Sequence, residues 1–143
     1  MKVIVIGGSG HVGTYLVPRL VRQGAEVVSV SRGQREPYTP DRAWGEVEHV
    51  SMDRTEEEKD GVFGRKIAAM KPDVVIDMIN FRPESAQQIV EALRGRISHY
   101  LYTSSVWGHG MSTLLPAGEN QSRHPFAEYG IRKTATETYL REA

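Results

Sequence analysis

The sequence contains no cysteine, which removes disulfides, thiolate metal sites and cysteine nucleophiles at once. It also lacks a net charge. Eighteen Lys and Arg face 18 Asp and Glu, so no global positive field exists to hold a nucleic-acid backbone or an anionic membrane. Long apolar runs are missing too. The opening Val3-Ile4-Val5-Ile6 is broken at once by Gly7 and Gly8, too short for a signal-peptide core or a membrane span. The five histidines form no metal-ligand spacing. These absences leave a soluble chain, compatible with a reducing cytoplasm, with no nucleic acid, membrane or metal expected as a partner.

What is present is a globular composition, 39% hydrophobic and 25% charged over 143 residues. That is enough for one domain, residues 1–143, with a real core. Lys2 to Ile6 is a β-branched run typical of a strand covered on both faces. Val12, Leu16, Leu20 and Val21 then recur at helical spacing, with Gly24 as terminator and Pro18 expected to bend the helix. Strands are predicted at Glu26 to Ser31, Glu46 to Met52, Asp73 to Ile79 and Ser98 to Thr103. Between the first two lies a turn-rich stretch with Gly33, Pro37, Pro40 and Gly45. Helices are predicted near Val62 to Met70, from Pro83 to Leu93 and from about Phe126 to the end. The acidic run Glu56-Glu57-Glu58 reads as a solvated helix start. Strands alternating with helices imply a Rossmann-like, doubly wound parallel sheet in three α/β/α layers.

Glycines fall at Gly7, Gly10 and Gly13, between the first strand and the first helix. Gly7 permits the turn, Gly10 lets the backbone approach a pyrophosphate and Gly13 allows close helix packing, while the helix N-terminus offers unpaired N–H groups. The whole turn, with Ser9, His11 and Val12, is therefore expected to bind a dinucleotide. Ser9 either contacts phosphate or caps the helix.

The second strand ends Ser31-Arg32-Gly33, with Arg35 close behind and no carboxylate to grip ribose hydroxyls. Guanidinium groups suit a 2′-phosphate, which favours NADP over NAD. The other reading is that both arginines are solvated loop charges. Asp53 either accepts from the adenine amino group or caps a turn.

Tyr129 and Lys133, four residues apart on the final helix, share one face. A neighbouring ammonium favours the phenolate form of a tyrosine. By spacing alone, a solvated pair is the ordinary reading.

Taken in order, the Gly7–Gly13 turn, Ser104-Ser105-Val106-Trp107-Gly108-His109-Gly110 and Tyr129-Gly130-Ile131-Arg132-Lys133 resemble the extended short-chain dehydrogenases/reductases. Within these, the chain is similar to the NAD(P)-dependent epimerase/dehydratase group, over essentially its whole length. The resemblance implies a catalytic set of Ser105, Tyr129 and Lys133, with Ser104 as fallback serine. Tyr129 and Lys133 would also contact the cofactor. It further implies hydride transfer to or from nicotinamide on a sugar nucleotide or similar hydroxyl or carbonyl substrate. His109 and His124 are expected to be plain loop residues.

In such proteins a later part of the chain supplies another strand and most of the substrate pocket. The sequence ends at Ala143, so it reads as truncated after the active-site helix and inactive by itself, with self-association into a homodimer as a way to cover the open edge. The rival reading is a dinucleotide-binding regulatory or interaction module without turnover.

Overall fold

The computed structural model describes residues 1–111, 116 and 118–143. They fall into two compact units, Met1–Ile79 with Gln88–Thr103, and Asn80–Gln87 with Ser104–Ala143.

The first unit is built on five parallel strands: β1 (Lys2–Ile6), β2 (Glu26–Ser31), β3 (Glu48–Ser51), β4 (Val74–Asp77) and β5 (His99–Tyr102). Their order in the sheet is β3-β2-β1-β4-β5, so the first strand made is the central one. Val3 lies beside Val27 of β2 on one side and Val74 of β4 on the other. Alternation along the strands sends side chains to opposite faces. On one face Ile4, Ile6, Val28, Val30 and Val75 pack with Phe63 and Ile67 of α3 (Phe63–Ala69) and with Ile89 and Leu93 of α4 (Pro83–Leu93). On the other, Val3, Val5, Val27 and Ile76 pack against Val17 of α1 (Gly13–Arg22). This is the doubly wound, three-layer Rossmann-like arrangement expected from the strand and helix pattern, and each fully buried Val or Ile side chain contributes roughly 1.5–3 kcal/mol.

Several local expectations need correction. Val12 does not belong to the buried face of α1: it precedes the helix and is exposed, and Val17, one turn further on, takes that place. Pro18 does sit inside α1 as expected, and the helix runs on past it to Arg22. β3 starts at Glu48 because Asp41 accepts from the Ala43 amide and opens a 3₁₀ turn over Arg42–Glu46. β4 stops at Asp77, whose carboxylate accepts from the amide of Ile79.

The acidic run opens α2 (Arg54–Lys59), and Glu56 is exposed and paired with Lys59 as a solvated residue should be. Glu58 is not solvated. It is 7% exposed and bonded to Arg54, whose guanidinium also donates two hydrogen bonds to the fully buried carboxylate of Asp77, at 2.7 and 2.9 Å. The hydroxyl of Tyr100 donates to the same carboxylate at 2.7 Å. Burial works against the Arg54 charge, but the facing Asp77 and the hydrogen bonds to Asp77 and Glu58 prevail and hold its pKa above the ordinary value. Breaking such a buried pair by removing one partner costs about 3–5 kcal/mol.

The second unit contains the first turn of α4, a 3₁₀ turn at Val106–Gly108 and α5 (Ala127–Glu142).

Candidate active site

The glycine turn belongs to the first unit. Gly7 has φ +85°, in the left-handed region, and its amide donates to the Val30 carbonyl at 2.8 Å, tying the turn to the end of β2. A methyl group at Gly7 would lie 2.7 Å from the side chain of Ile79. At Gly13 a methyl would collide with the carbonyl of Gly8, so this glycine is required by the turn's own backbone rather than by helix packing against the sheet. Gly8, which the sequence reading left without a role, lies over Ser29, whose hydroxyl would be 2.6 Å from an added methyl.

Helix α1 has Val12 as N-cap and no side-chain cap, so the capping alternative for Ser9 is overturned. The amides of His11, Val12 and Gly13 have no acceptor among the described residues. Such N–H groups at the positive end of a ten-residue helix fit a diphosphate. His11 stands edge-on to Tyr38 and Tyr15, with ring centroids 5.6 and 6.4 Å away. Tyr38 is held there by its amide, which donates to the buried hydroxyl of Thr14.

At the end of β2, the Ser31 hydroxyl accepts from the amide of Gly33, which has φ +67°. Arg32 and Arg35 are both exposed. Asp53 caps α2: its Oδ1 accepts from the amides of Thr55 and Glu56, at 2.9 and 3.3 Å.

The tyrosine, lysine and serine belong to the second unit. Tyr129 is 41% exposed, whereas Lys133 on the same helix face is 1% exposed. The solvated-pair reading is therefore overturned for the lysine. Its Nζ donates to the backbone carbonyl of Asn80 at 2.7 Å and lies 5.1 Å from the centroid of the Phe81 ring and 5.8 Å from that of Tyr129, close enough for cation–π attraction. Phe81 and Trp107 flank the Tyr129 ring, with centroids 6.4 and 6.3 Å away. Gly130 lets α5 approach the 3₁₀ turn, since a methyl there would be 2.6 Å from the Trp107 carbonyl.

The two serines differ. Ser104 donates to Glu137, which is also paired with Arg123. Ser105 accepts from the Trp107 amide at 3.3 Å and caps the 3₁₀ turn, using a lone pair and not its proton. His109 ends that turn, and His124 lies in the stretch before α5.

Sequence reasoning missed Asn80, whose contribution to Lys133 is a backbone carbonyl and so leaves no residue-type signal. It also missed Arg54, although an acid ending the apolar strand Val74-Val75-Ile76-Asp77 demanded a buried cation. Among the described residues, no group of three or more His, Cys, Asp or Glu could hold a metal ion, and no helix is long and apolar enough to cross a membrane.

Three similar proteins frame this geometry. The 2′-dehydrokanamycin reductase of Streptomyces kanamyceticus is 36% identical over 143 residues, covering 100% of this chain and 38% of its own. The UDP-glucose 4-epimerase of Lactobacillus helveticus is 26% identical over 98% of this chain and 46% of its own. The crystal structure of UDP-glucose 4-epimerase from Bifidobacterium longum, in complex with NAD+ and UDP, superposes with a TM-score of 0.80 at 21% identity. That match covers 99% of this chain and 48% of the epimerase, and at this identity it speaks for the fold alone. The chain thus spans less than half the length of each relative. The family model for the NAD dependent epimerase/dehydratase family matches residues 3–143, and the chain belongs to that family.

Proposed function

We propose that residues 1–143 form the cofactor-binding domain of an NADP- or NAD-dependent reductase or epimerase acting on a hydroxyl or carbonyl group of a sugar nucleotide or similar sugar. The observation that carries this reading is the burial of Lys133. Taking an ammonium out of water costs several kcal/mol, and a lysine kept at that cost beside a half-exposed tyrosine is arranged for chemistry rather than for solubility. The names of the relatives, a reductase of 2′-dehydrokanamycin and UDP-glucose 4-epimerases, support a sugar as the substrate class.

The glycine turn suits the pyrophosphate, and the Ser31-Arg32-Gly33 end of β2, lacking a carboxylate, suits a 2′-phosphate. Asp53 retains acceptor capacity on Oδ2 toward the adenine amino group beside its capping role. When bound, the nicotinamide supplies or accepts the hydride. Tyr129 gives a proton to the substrate oxygen when a carbonyl is reduced and takes it back when a hydroxyl is oxidised. Ser105 keeps its own proton and donates a hydrogen bond through it to the same oxygen. Ser104 is spoken for by Glu137, which favours Ser105 for this role. Lys133, bonded to the Asn80 carbonyl and 5.8 Å from the Tyr129 ring centroid, fixes the tyrosine's surroundings, and the family resemblance gives it a cofactor contact as well.

The test is Tyr129→Phe in the full-length protein, followed through nicotinamide absorbance with a panel of UDP-sugars and keto-sugars. The expected loss of turnover is about 10²- to 10⁴-fold with cofactor affinity kept. Unchanged turnover would remove Tyr129 from the mechanism.

A further inference from the structure

The buried Arg54 cluster takes no part in the chemistry above, yet its bonds to Glu58 and Asp77 tie together the two segments that lead to the proposed nucleotide contacts. Arg54 directly follows Asp53, the last residue before α2. Its guanidinium holds Asp77, which pairs in register with Ile6, the residue before Gly7. The Asp77 carboxylate also accepts from the Ile79 amide at 3.3 Å, and the Ile79 side chain is the group lying against Gly7. Met78 adds a backbone bond to the Ile6 carbonyl at 3.0 Å. One guanidinium thus links the turn after β3 to the turn after β4 and, through Ile79, to the first glycine. Glu58, Tyr100 and the Phe63 ring, 5.2 Å from the guanidinium carbon, hold that link rigid from behind.

We propose that Arg54 is a positioning residue for the adenosine end of the dinucleotide, fixing the spacing between Asp53 and the Gly7 turn through Asp77 and Ile79. The inference rests on the reading of the Gly7–Gly13 turn as the dinucleotide site. Its physical content is pre-organisation: phosphate and base are recognised by two segments, and if their spacing is not held by the protein, the ligand must order them on binding. Arg54 holds that spacing without meeting the ligand. Its effect must therefore be the same for every ligand that carries adenosine diphosphate, whatever the remainder.

Calorimetry on the full-length protein with NADP, NAD and ADP checks this. Arg54→Met is expected to weaken all three by a common factor of about tenfold, equivalent to 1.4 kcal/mol, and Arg54→Lys, which restores a cation beside Asp77, to recover part of the loss. A lowered melting temperature with unchanged affinity in the folded variant would reduce Arg54 to a structural residue and overturn the proposal. A loss confined to NADP would also overturn it, since that marks a direct contact with the 2′-phosphate. Should Arg54→Met fail to fold, Tyr100→Phe removes one donor to Asp77 while keeping the ring. A uniform weakening then supports the proposal, and unchanged affinities for all three ligands overturn it. Failure of the underlying reading looks different, because the unmutated protein would then bind none of the three.

Discussion

The buried ammonium of Lys133 donates to the backbone carbonyl of Asn80, 53 positions earlier in the chain, at 2.7 Å. A carbonyl cannot be protonated away or rotated out as a side chain can, so the lysine's place is set by the chain path after β4. Replacing Lys133 by Met keeps the stem and removes the donor. The Asn80 carbonyl then loses its bond to Lys133 in a buried setting, a cost of about 1–3 kcal/mol. We expect a lower melting temperature together with reduced turnover in the full-length protein. A Lys133→Met protein as active as the parent would show that the ammonium serves only packing.

Gly10 lies in the middle of the Gly7–Gly13 turn, the segment proposed to hold the pyrophosphate. A methyl there meets only the Gly7 carbonyl, at 3.2 Å, so a larger side chain projects toward the space assigned to the pyrophosphate. Gly10→Val is expected to weaken dinucleotide binding on the order of 100-fold while the circular dichroism spectrum stays native. Undiminished affinity in the folded variant would place the phosphates elsewhere.

Arg32 and Arg35 are exposed at the end of β2, and preference for NADP is expected to depend on Arg32. Losing one charge-assisted hydrogen-bonding group costs about 1.5–3 kcal/mol. Arg32→Ala should therefore cut NADP affinity by roughly 10- to 100-fold and leave NAD almost untouched. Parallel titrations decide it, and tighter binding of NAD by the unmutated protein ends the NADP assignment.

A pH effect is expected at the loop before β3. The Asp41 carboxyl is held below its ordinary value of 3.8 by the Ala43 amide first and by Arg22 second. A depressed carboxylate stabilises the fold above its unfolded pKa, and that contribution disappears as pH falls through the folded value. An NMR titration should place the Asp41 midpoint below 3.8. Arg22→Ala should raise the midpoint only part of the way, because the larger cause remains. A midpoint at or above 3.8 in the parent would show that the cap is open in solution.

Much of this was legible in the sequence because its signals are local. The run Lys2 to Ile6, the glycines at 7, 10 and 13 and the proline-opened helix Pro83–Leu93 each declare themselves within a few residues. The spacing of Tyr129 and Lys133 did not, since by itself it reads as a solvated pair, and only the family resemblance singled these two residues out. What stayed hidden depends on which groups the folded chain brings against a residue, whether they are near or far in sequence. Lys133 reads as a surface lysine until Asn80 and Phe81 close over it. Glu58 reads as one of three equivalent acids until Arg54 is turned inward by Asp77. The reason for Gly13 was misjudged because its neighbour is not the sheet but the carbonyl of Gly8, five residues back around the turn.

The central place of β1 also governs how the molecule comes into being. Its first edge is closed early by β2, but its second waits for β4, and the bond from the Lys2 amide to Asp73 spans 71 positions. Closing so long a loop is paid in chain entropy before any packing rewards it, which puts folding on the slower side for a domain of this size. During synthesis, half of the pairing capacity of Lys2–Ile6 must stand open until Asp77 has left the ribosome, and in that interval the most apolar segment of the chain is the one most in need of a chaperone.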